Sequence, residues 1–253
     1  MGFDTFTIQR SDVESARFGF DCARADNVTA ASVPAVVRFA TEHRVRLVIA
    51  RCKAEEAEAV HRLEDAGFRL MDTLVYSRAI TTALRGGERR LACPIRLYEA
   101  RDRPAVLAVA RVLFAEYASH YHADAALDRE RVADGYVEWV ARSCDSMDPE
   151  RAPVFVGVNG GEIAGFVTLR LNDVHDGEMV VGGVHPSFAG HGLYQDFLLT
   201  GMDWCCARGR SGMVVSTQVV NYTVQRAWAR LGMRQYQALY TLHGWFGDRA
   251  TVG

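Results

Sequence analysis

The stretch GVHPSFAGHGLYQDFLL, residues 183–199, contains a strand end, a turn with two glycines and the start of an amphipathic helix. The strand ends at Pro186, and Gly190 and Gly192 stand just before the helix. The first amides of a helix lack intrahelical partners and carry the positive end of its dipole, so they attract anions. Glycines at this place let the backbone approach a bulky anion and adopt positive φ. The turn therefore predicts an anion site.

Two common phosphate-binding motifs do not fit this turn. It is not G-x-G-x-x-G, because the third residue after Gly192 is Gln195, and no Lys-Ser or Lys-Thr pair follows as in a Walker loop. Binding of dinucleotides and nucleoside triphosphates is therefore disfavoured.

The composition limits the class of protein further. The chain has 253 residues, 49% of them hydrophobic and 24% charged, which is typical of a soluble globular protein. Its formal net charge of −2 is spread along the chain, so no nucleic-acid or membrane partner is expected. No apolar run approaches the ~18 residues of a membrane span, and we expect a cytoplasmic protein. The cysteines show no Cys-x-x-Cys pair, so no metal site is expected.

Two glycines and three arginines in TTALRGGERRLACP, residues 81–94, indicate a linker. We therefore predict an amino-terminal domain over 1–84, a linker over 85–93 and a second domain over 94–253. The second domain has the predicted order β-α-α-β-β-β-α-β-α-β. Asn159-Gly160 gives the strongest hairpin signal in the chain.

The amino-terminal domain also contains a faint echo of the carboxy-terminal one. Aligning Gly67 with Gly232 superimposes a predicted strand, a helix and a second strand without gaps. The identities are few, so either a partial repeat or a chance similarity of two strand-helix-strand units explains the alignment.

The motif order in roughly residues 94–246 resembles the GNAT superfamily of acyl-CoA-dependent N-acyltransferases. A strand ends in Val-x-Pro, an x-Gly-x-Gly turn begins a helix, and a later helix starts at Asn221 and ends in Leu-Gly-Met. The resemblance implies an α/β (α+β) fold with a GNAT-like mixed central sheet flanked by helices. It also implies acetyl-CoA or another short-chain acyl-CoA as co-substrate.

Three short segments are similar to the two-domain enzymes that acetylate TDP-fucosamine, a TDP-linked 4-amino-4,6-dideoxygalactose. They are SARFGFDCAR (15–24), GFVTLRLND (165–173) and STQVVN (216–221). This resemblance implies a truncated GNAT-like amino-terminal domain, in agreement with the echo.

The resemblance assigns the residues that bind coenzyme A. In the family, the glycine turn holds the pyrophosphate through backbone amides, the preceding strand holds the pantetheine arm and thioester carbonyl, and the Asn binds pantetheine. Carried over, the pyrophosphate residues are Gly190, His191, Gly192, Leu193 and Tyr194, and the pantetheine residues are Gly183, Val184 and Asn221. Asn221 is also a suitable N-cap for its own helix.

Two positions of this site depart from the family pattern. Ala189 replaces the usual Arg or Gln, and Tyr194 stands where the family has a small residue. Both changes leave the backbone amides that bind the pyrophosphate in place, although Ala189 cannot make the charged contact to the pyrophosphate.

Acyl transfer needs an unprotonated amine, donors for the oxyanion and a proton for the departing thiolate. The family often places a tyrosine acid seven residues after the Asn, where this chain has Trp228, whose indole N–H is not an acid at neutral pH. Tyr194 is therefore the predicted substitute acid. We predict His120 as the base, because EYASHYHAD (116–124) follows the first helix, a region that covers the acceptor site in GNAT folds.

Four further residues are predicted to bind the acceptor. Tyr117 and His122 flank His120, where a tyrosine ring can stack on a sugar or base. Arg170 and Gln218 lie near strand ends, where they can bind a phosphate or hydroxyl group.

Together these features predict an enzyme that moves an acetyl or short acyl group to the amine of a nucleotide-linked (TDP) amino sugar by direct attack. Two alternatives stay open: an N-acetyltransferase acting on a peptide or small amine, and a non-catalytic acyl-CoA sensor, which Trp228 and Ala189 motivate. A homodimer is also left open.

Overall fold

The computed structural model describes residues 5–81, 91–115, 117–172 and 176–247, so most of the predicted linker lies outside it. The strands are β1 Thr7–Arg10, β2 Cys22–Asp26, β3 Leu47–Lys53, β4 Arg69–Ile80, β5 Ile95–Leu97, β6 Val154–Asn159, β7 Glu162–Leu171, β8 Asp176–Val184, β9 Gly212–Gln218 and β10 Arg234–Trp245. The helices are α1 Asp12–Phe18, α2 Val33–Glu42, α3 Ala57–Asp65, α4 Arg103–Phe114, α5 His120–Ala123, α6 Arg129–Asp145, α7 Leu193–Ala207 and α8 Tyr222–Arg230. No helix in these ranges is both long and apolar enough to cross a membrane.

The contacts divide the chain into two compact units that are not continuous in sequence. The first unit contains residues 1–75, 118–132 and 237–253, and the second contains 76–117 and 133–236. The predicted domains 1–84 and 94–253 stay a prediction. The first unit also takes in a loop segment and the end of the chain, neither of which the sequence pattern assigned to it.

In the first unit the strands are ordered β1-β2-β3-β10. Strands β2 and β3 are parallel, and β1 and β10 pair antiparallel to them. Helices α2 and α3 contribute Val36, Ala40, Ala59 and Leu63 to the apolar core on one face of this sheet. Since side chains alternate along a strand, His243 on β10 faces away from that core, as its buried neighbour Leu242 belongs to it.

In the second unit the strands β9-β8-β7-β6-β5 form a mixed sheet in which only β8 and β9 of these are parallel. Helices cover both faces, because a Cβ at Gly165 would meet Phe197 of α7 and one at Gly183 would meet Leu113 of α4. The predicted hairpin is confirmed: β6 ends at Asn159, and Gly160 and Gly161 form the loop with positive φ. The predicted α/β fold with a mixed, helix-flanked sheet is thus confirmed.

The echo in the sequence is also present in the structure. A shift of 165 residues moves β3 onto β9, α3 onto α8 and β4 onto β10, with the bounds of all three elements coinciding. Gly67 and Gly232 both follow the helix with positive φ, at +86° and +70°. The first unit has no counterpart of the glycine turn, since residues 27–32 contain no glycine. The structure therefore favours a partial repeat over chance similarity.

Candidate active site

Strands β8 and β9 separate at the carboxyl end of their ladder. They pair only over Asp176–Met179 and Gly212–Val215, although β8 continues to Val184 and β9 to Gln218. Backbone groups on the facing edges of the remaining segments therefore do not bond to each other. An extended ligand arm can bind such an edge through its amide groups.

The glycines of β8 have a packing role. The register between β7 and β8 shifts so that Thr168 faces Val181 and Leu169 faces Met179, which makes Val180 the extra residue of a β-bulge. A Cβ at Gly182 would overlap the backbone of β7 at Phe166. Gly182 and Gly183 themselves pair regularly with Val167 and Phe166, so the close approach of the two backbones accounts for a glycine at position 182.

The turn after β8 presents unoccupied amides at the start of α7. Gly190 and Gly192 adopt φ of +84° and +91°, and nothing lies within 4 Å of a Cβ at either position. Gly192 is the N-cap and has no side chain to cap the helix. The first bond of the helix goes from Asp196 N to Gly192 O, so the amides of residues 193–195 lack intrahelical acceptors. The predicted anion site thus has the required open geometry.

A groove of about 730 Å³ borders this turn in the second unit. His185 and Phe188 of the turn line one side, and Val109 and Val112 of α4 line another. The groove leaves space for a ligand beside His185 and Phe188.

Tyr194 in the first turn of α7 contacts Trp228 near the end of α8. Trp228 Nε1 donates to Tyr194 Oη at 3.2 Å. Burial raises the pKa of Tyr194 to about 12, although the bond from Trp228 acts in the opposite direction. The tyrosine is therefore a neutral phenol at pH 7.

Asn221 is the N-cap of α8, as predicted. Its side chain accepts from Val224 N, and its Nδ2 donates to Thr217 Oγ1 at 3.0 Å. Both interactions hold the amide at the end of β9, beside the segment where β8 and β9 separate.

Two of the predicted acceptor residues contact each other. Tyr117 Oη donates a short hydrogen bond to Gln218 Oε1, and the Tyr117 ring packs against Tyr136 at a centroid distance of 5.4 Å. Arg170, a third, donates to Glu178 from Nε and Nη2 at 2.9 and 2.7 Å. Arg170 on β7 and Glu178 on β8 are direct register partners, next to the bulge.

The predicted base and His122 lie in the first unit, whereas Tyr117 lies in the second. His122 contacts Ser119 Oγ through Nδ1 at 2.9 Å. His120 is only 4% exposed, and its Nδ1 lies 2.8 Å from His243 Nε2. The stretch from Tyr117 to His122 is thus divided between the two units.

A chain of hydrogen bonds extends from His120 to a carboxylate. His243 Nδ1 lies 2.7 Å from Asp124 Oδ2, which also accepts from Trp245 Nε1 at 2.9 Å. Burial acts to raise the pKa of Asp124, but bonds from His243, Trp245 and the Ala126 amide leave it below its ordinary value. His243 and Asp124 are not among the site residues predicted from the sequence; the available signal was a histidine within an apolar strand pattern.

Burial lowers the pKa of His120 well below its ordinary value, and nearby positive charges lower it further. Below about pH 6.5, His120 therefore binds a proton in the unfolded chain but not in the folded chain. We expect the free energy of unfolding to fall by up to about 1.4 kcal/mol per pH unit as pH drops from 6.5 to 5.5. Asp124, whose pKa is lowered, adds to the loss only when pH falls below about 4.

Urea unfolding at pH 7.5, 6.5 and 5.5 measures this slope. His120→Gln is expected to be less stable at pH 7.5 but to show a shallower pH dependence. His61→Gln, on the exposed side of α3, serves as the matched control and should keep the wild-type slope. Equal slopes in wild type and His120→Gln would contradict the account.

Comparison with known proteins shows a similarity to one family. The family model described as Acetyltransferase (GNAT) family matches residues 113–233. No curated protein matched the sequence. A GCN5-related N-acetyltransferase from Sphaerobacter thermophilus aligns over 94% of this chain and 76% of its own, with 16% identity and a TM-score of 0.65.

Two further solved structures share the fold. A GCN5-related N-acetyltransferase from Kribbella flavida covers 91% of this chain and 83% of its own, at 15% identity and a TM-score of 0.61. A tandem GNAT protein from the clavulanic acid biosynthesis pathway covers 90% and 76%, at 13% identity and a TM-score of 0.60. At such identities these likenesses show the fold alone. Residues 113–233, just under half of the chain, are therefore similar to the acetyltransferase (GNAT) family, and the chain shares its fold with GCN5-related N-acetyltransferases.

Proposed function

We propose that the protein transfers an acetyl or short acyl group from acyl-CoA to the amine of a nucleotide-linked amino sugar by direct attack. The observation that carries the proposal is the open set of amides at the start of α7, next to the end of β8 that is not paired with β9. A pyrophosphate and an extended pantetheine arm need these two features side by side.

In the proposed complex, the turn binds the pyrophosphate through backbone N–H groups. The residues involved are Gly190, His191, Gly192, Leu193 and Tyr194. Gly183 and Val184 bind the pantetheine arm and thioester carbonyl from the end of β8. Asn221 contributes its side-chain amide, which keeps a second N–H and a second lone pair beyond the two bonds it already makes.

Tyr194 is the proposed acid for the departing thiolate. An indole nitrogen is a donor only, so Tyr194 Oη accepts the bond from Trp228 and its own O–H points elsewhere. The raised pKa keeps that proton in place at neutral pH until a thiolate forms nearby. In this arrangement the acidic hydroxyl group is that of Tyr194 on α7. Trp228, at the position that is often tyrosine in the family, donates its N–H to that hydroxyl group.

On the acceptor side, His120 is the proposed base, as in the sequence-based prediction. Tyr117, His122, Arg170 and Gln218 are the proposed acceptor-binding residues. Arg170 uses Nε and Nη2 on Glu178, which orients the guanidinium and leaves Nη1 for a phosphate oxygen.

An amine panel tests the proposed substrate class. Release of free thiol from acetyl-CoA is followed with TDP-linked amino sugars, unlinked amino sugars, and peptide amines at equal concentration. We expect the nucleotide-linked sugars to give the highest kcat/KM. A higher kcat/KM for peptide amines would contradict the proposed acceptor and favour a peptide N-acetyltransferase. Binding of acetyl-CoA without amine-dependent thiol release would favour a non-catalytic acyl-CoA sensor.

A further inference from the structure

One face of the sheet in the second unit carries a strip of aromatic and charged side chains. Arg78 on β4 donates to Asp176 Oδ1 on β8 from Nε and Nη2, at 2.9 and 2.7 Å. The pair crosses the intervening strand β9 at Gly212, where a Cβ would overlap both side chains. Because side chains alternate along a strand, every second residue of β4 and β8 lies on this same face. The strip comprises Tyr76 and Arg78 of β4, Asp176 and Glu178 of β8, Arg170 of β7 and Tyr236 of β10.

Contacts among its members hold the strip in a fixed arrangement. The rings of Tyr76 and Tyr236 meet near edge to face, with their centroids 6.4 Å apart. Arg170 bonds to Glu178 Oε2 through Nε and Nη2, in the same way as the first ion pair. A ligand that binds to side chains already fixed in this way costs them little further conformational entropy.

The strip is accessible from solvent. Tyr236 is 48% exposed, and the side chains of Arg170 and Arg78 are 55% and 31% exposed. Among the described residues, no donor bonds to Oε1 of Glu178. Burial raises the pKa of Tyr236 to about 12, and the charges of Asp176 and Glu178 act in the same direction. The phenol therefore stays protonated at neutral pH and lies near both carboxylates.

This chemistry suits a sugar ring better than a strongly charged ligand. The charges of the two arginines and the two carboxylates balance, so the strip attracts neither a polyanion nor a polycation. Guanidinium N–H groups donate, carboxylate oxygens accept and a phenol does both, which matches the hydroxyl groups around a sugar. The exposed tyrosine ring supplies an apolar surface for one face of the sugar. An aliphatic amine lacks both the hydroxyl groups and the ring.

The strip ends where the proposed acyl-CoA site begins. Glu178 is followed by Met179, which forms the last ladder pair between β8 and β9. Strand β8 then continues to Gly183 and Val184, the proposed pantetheine residues. A ligand on the strip therefore lies beside the segment of β8 that is proposed to hold the thioester.

We infer that the strip binds the sugar ring of the acceptor, with Tyr236 packed against one face of the ring. The inference rests on the proposed acyltransferase function, and it identifies the part of the second unit that distinguishes an amino sugar from other amines. Glu178 Oε1 accepts from one hydroxyl group of the sugar, and the phenol of Tyr236 donates to another. Because both residues contact only the acceptor, binding of acetyl-CoA does not depend on them.

Variants at two exposed tyrosines test this assignment. Tyr236→Ala removes the ring, Tyr236→Phe keeps it, and Tyr222→Ala removes an exposed ring at the start of α8. With TDP-linked amino sugars, we expect kcat/KM of thiol release to fall about tenfold in Tyr236→Ala and less than about threefold in Tyr236→Phe. Tyr222→Ala should match wild type, and the KM for acetyl-CoA should stay unchanged in all three. An equal loss in Tyr236→Ala with a simple aliphatic amine would overturn the inference, because it would indicate a general packing defect.

Saturation-transfer NMR of the full-length protein with a TDP-linked amino sugar reads binding without any need for turnover. We expect strong transfer to the sugar protons in wild type and in Tyr236→Phe, and its loss in Tyr236→Ala. No transfer to the sugar protons in wild type, or equal transfer in Tyr236→Ala, would overturn the inference. The expected pattern of transfer without any thiol release would instead support the sugar subsite and reject the proposed acyl transfer.

Discussion

Gly192→Asp is expected to weaken binding of acetyl-CoA by about 100-fold or more, which corresponds to about 3 kcal/mol of binding free energy. The new carboxylate enters the open space beside the first amides of α7. Aspartate is a strong N-cap, so it occupies the amides that the pyrophosphate needs and repels the ligand as well.

The same substitution should leave the fold intact, because aspartate tolerates positive φ better than most residues and nothing lies within 4 Å of a Cβ at this position. Gly160→Asp is the matched control. Gly160 also has positive φ, at +59°, and open space around its Cβ, but it lies in the β6–β7 hairpin. Calorimetric titration should show the loss in Gly192→Asp alone. Unchanged affinity for acetyl-CoA in a folded Gly192→Asp protein would show that the turn is not part of the coenzyme A site.

Tyr194→Phe is expected to lower kcat of amine-dependent thiol release by about 100-fold or more, with little change in acetyl-CoA affinity. The substitution removes the only atom that distinguishes the two rings, and with it the proton proposed for the thiolate. Because the pKa of Tyr194 is about 12, no loss of rate from its ionisation is expected up to pH 10.

Trp228→Phe removes the N–H donor to Tyr194 and keeps an aromatic ring, so a smaller loss of about tenfold is expected. Tyr222→Phe provides the control, since Tyr222 is 62% exposed at the start of the same helix. Steady-state thiol release measures all three variants. A Tyr194→Phe rate within threefold of wild type would exclude this tyrosine as the acid.

Local structure could be predicted from the sequence where a single short motif determines a turn or a helix start. Asn159-Gly160 predicted the hairpin, and Asn221 predicted the helix start. The shift of 165 residues predicted a repeat from few identities, because strand, helix and glycine spacing depend on chain geometry more than on residue identity. The glycine turn predicted an open helix N-terminus for the same reason.

Long-range assembly could not be predicted in this way. Strand β10 reads as the last strand of the second domain, yet Leu239–Trp245 pair with β3 of the first unit. Apolar alternation shows that a residue is buried but not which strand buries it. For the same reason His120 could be singled out from the sequence, whereas its contact with His243, which is 123 positions away in the chain, could not be predicted.

The central claim is that the glycine turn and the end of β8 bind acyl-CoA. Amide hydrogen exchange of the full-length protein, with and without saturating acetyl-CoA, tests it most directly. We predict that exchange slows chiefly over residues 180–195, which contain the segment of β8 that is not paired with β9 and the first amides of α7, which lack intrahelical acceptors. Unchanged exchange over this segment at saturating ligand, or protection confined to other parts of the chain, would contradict the claim.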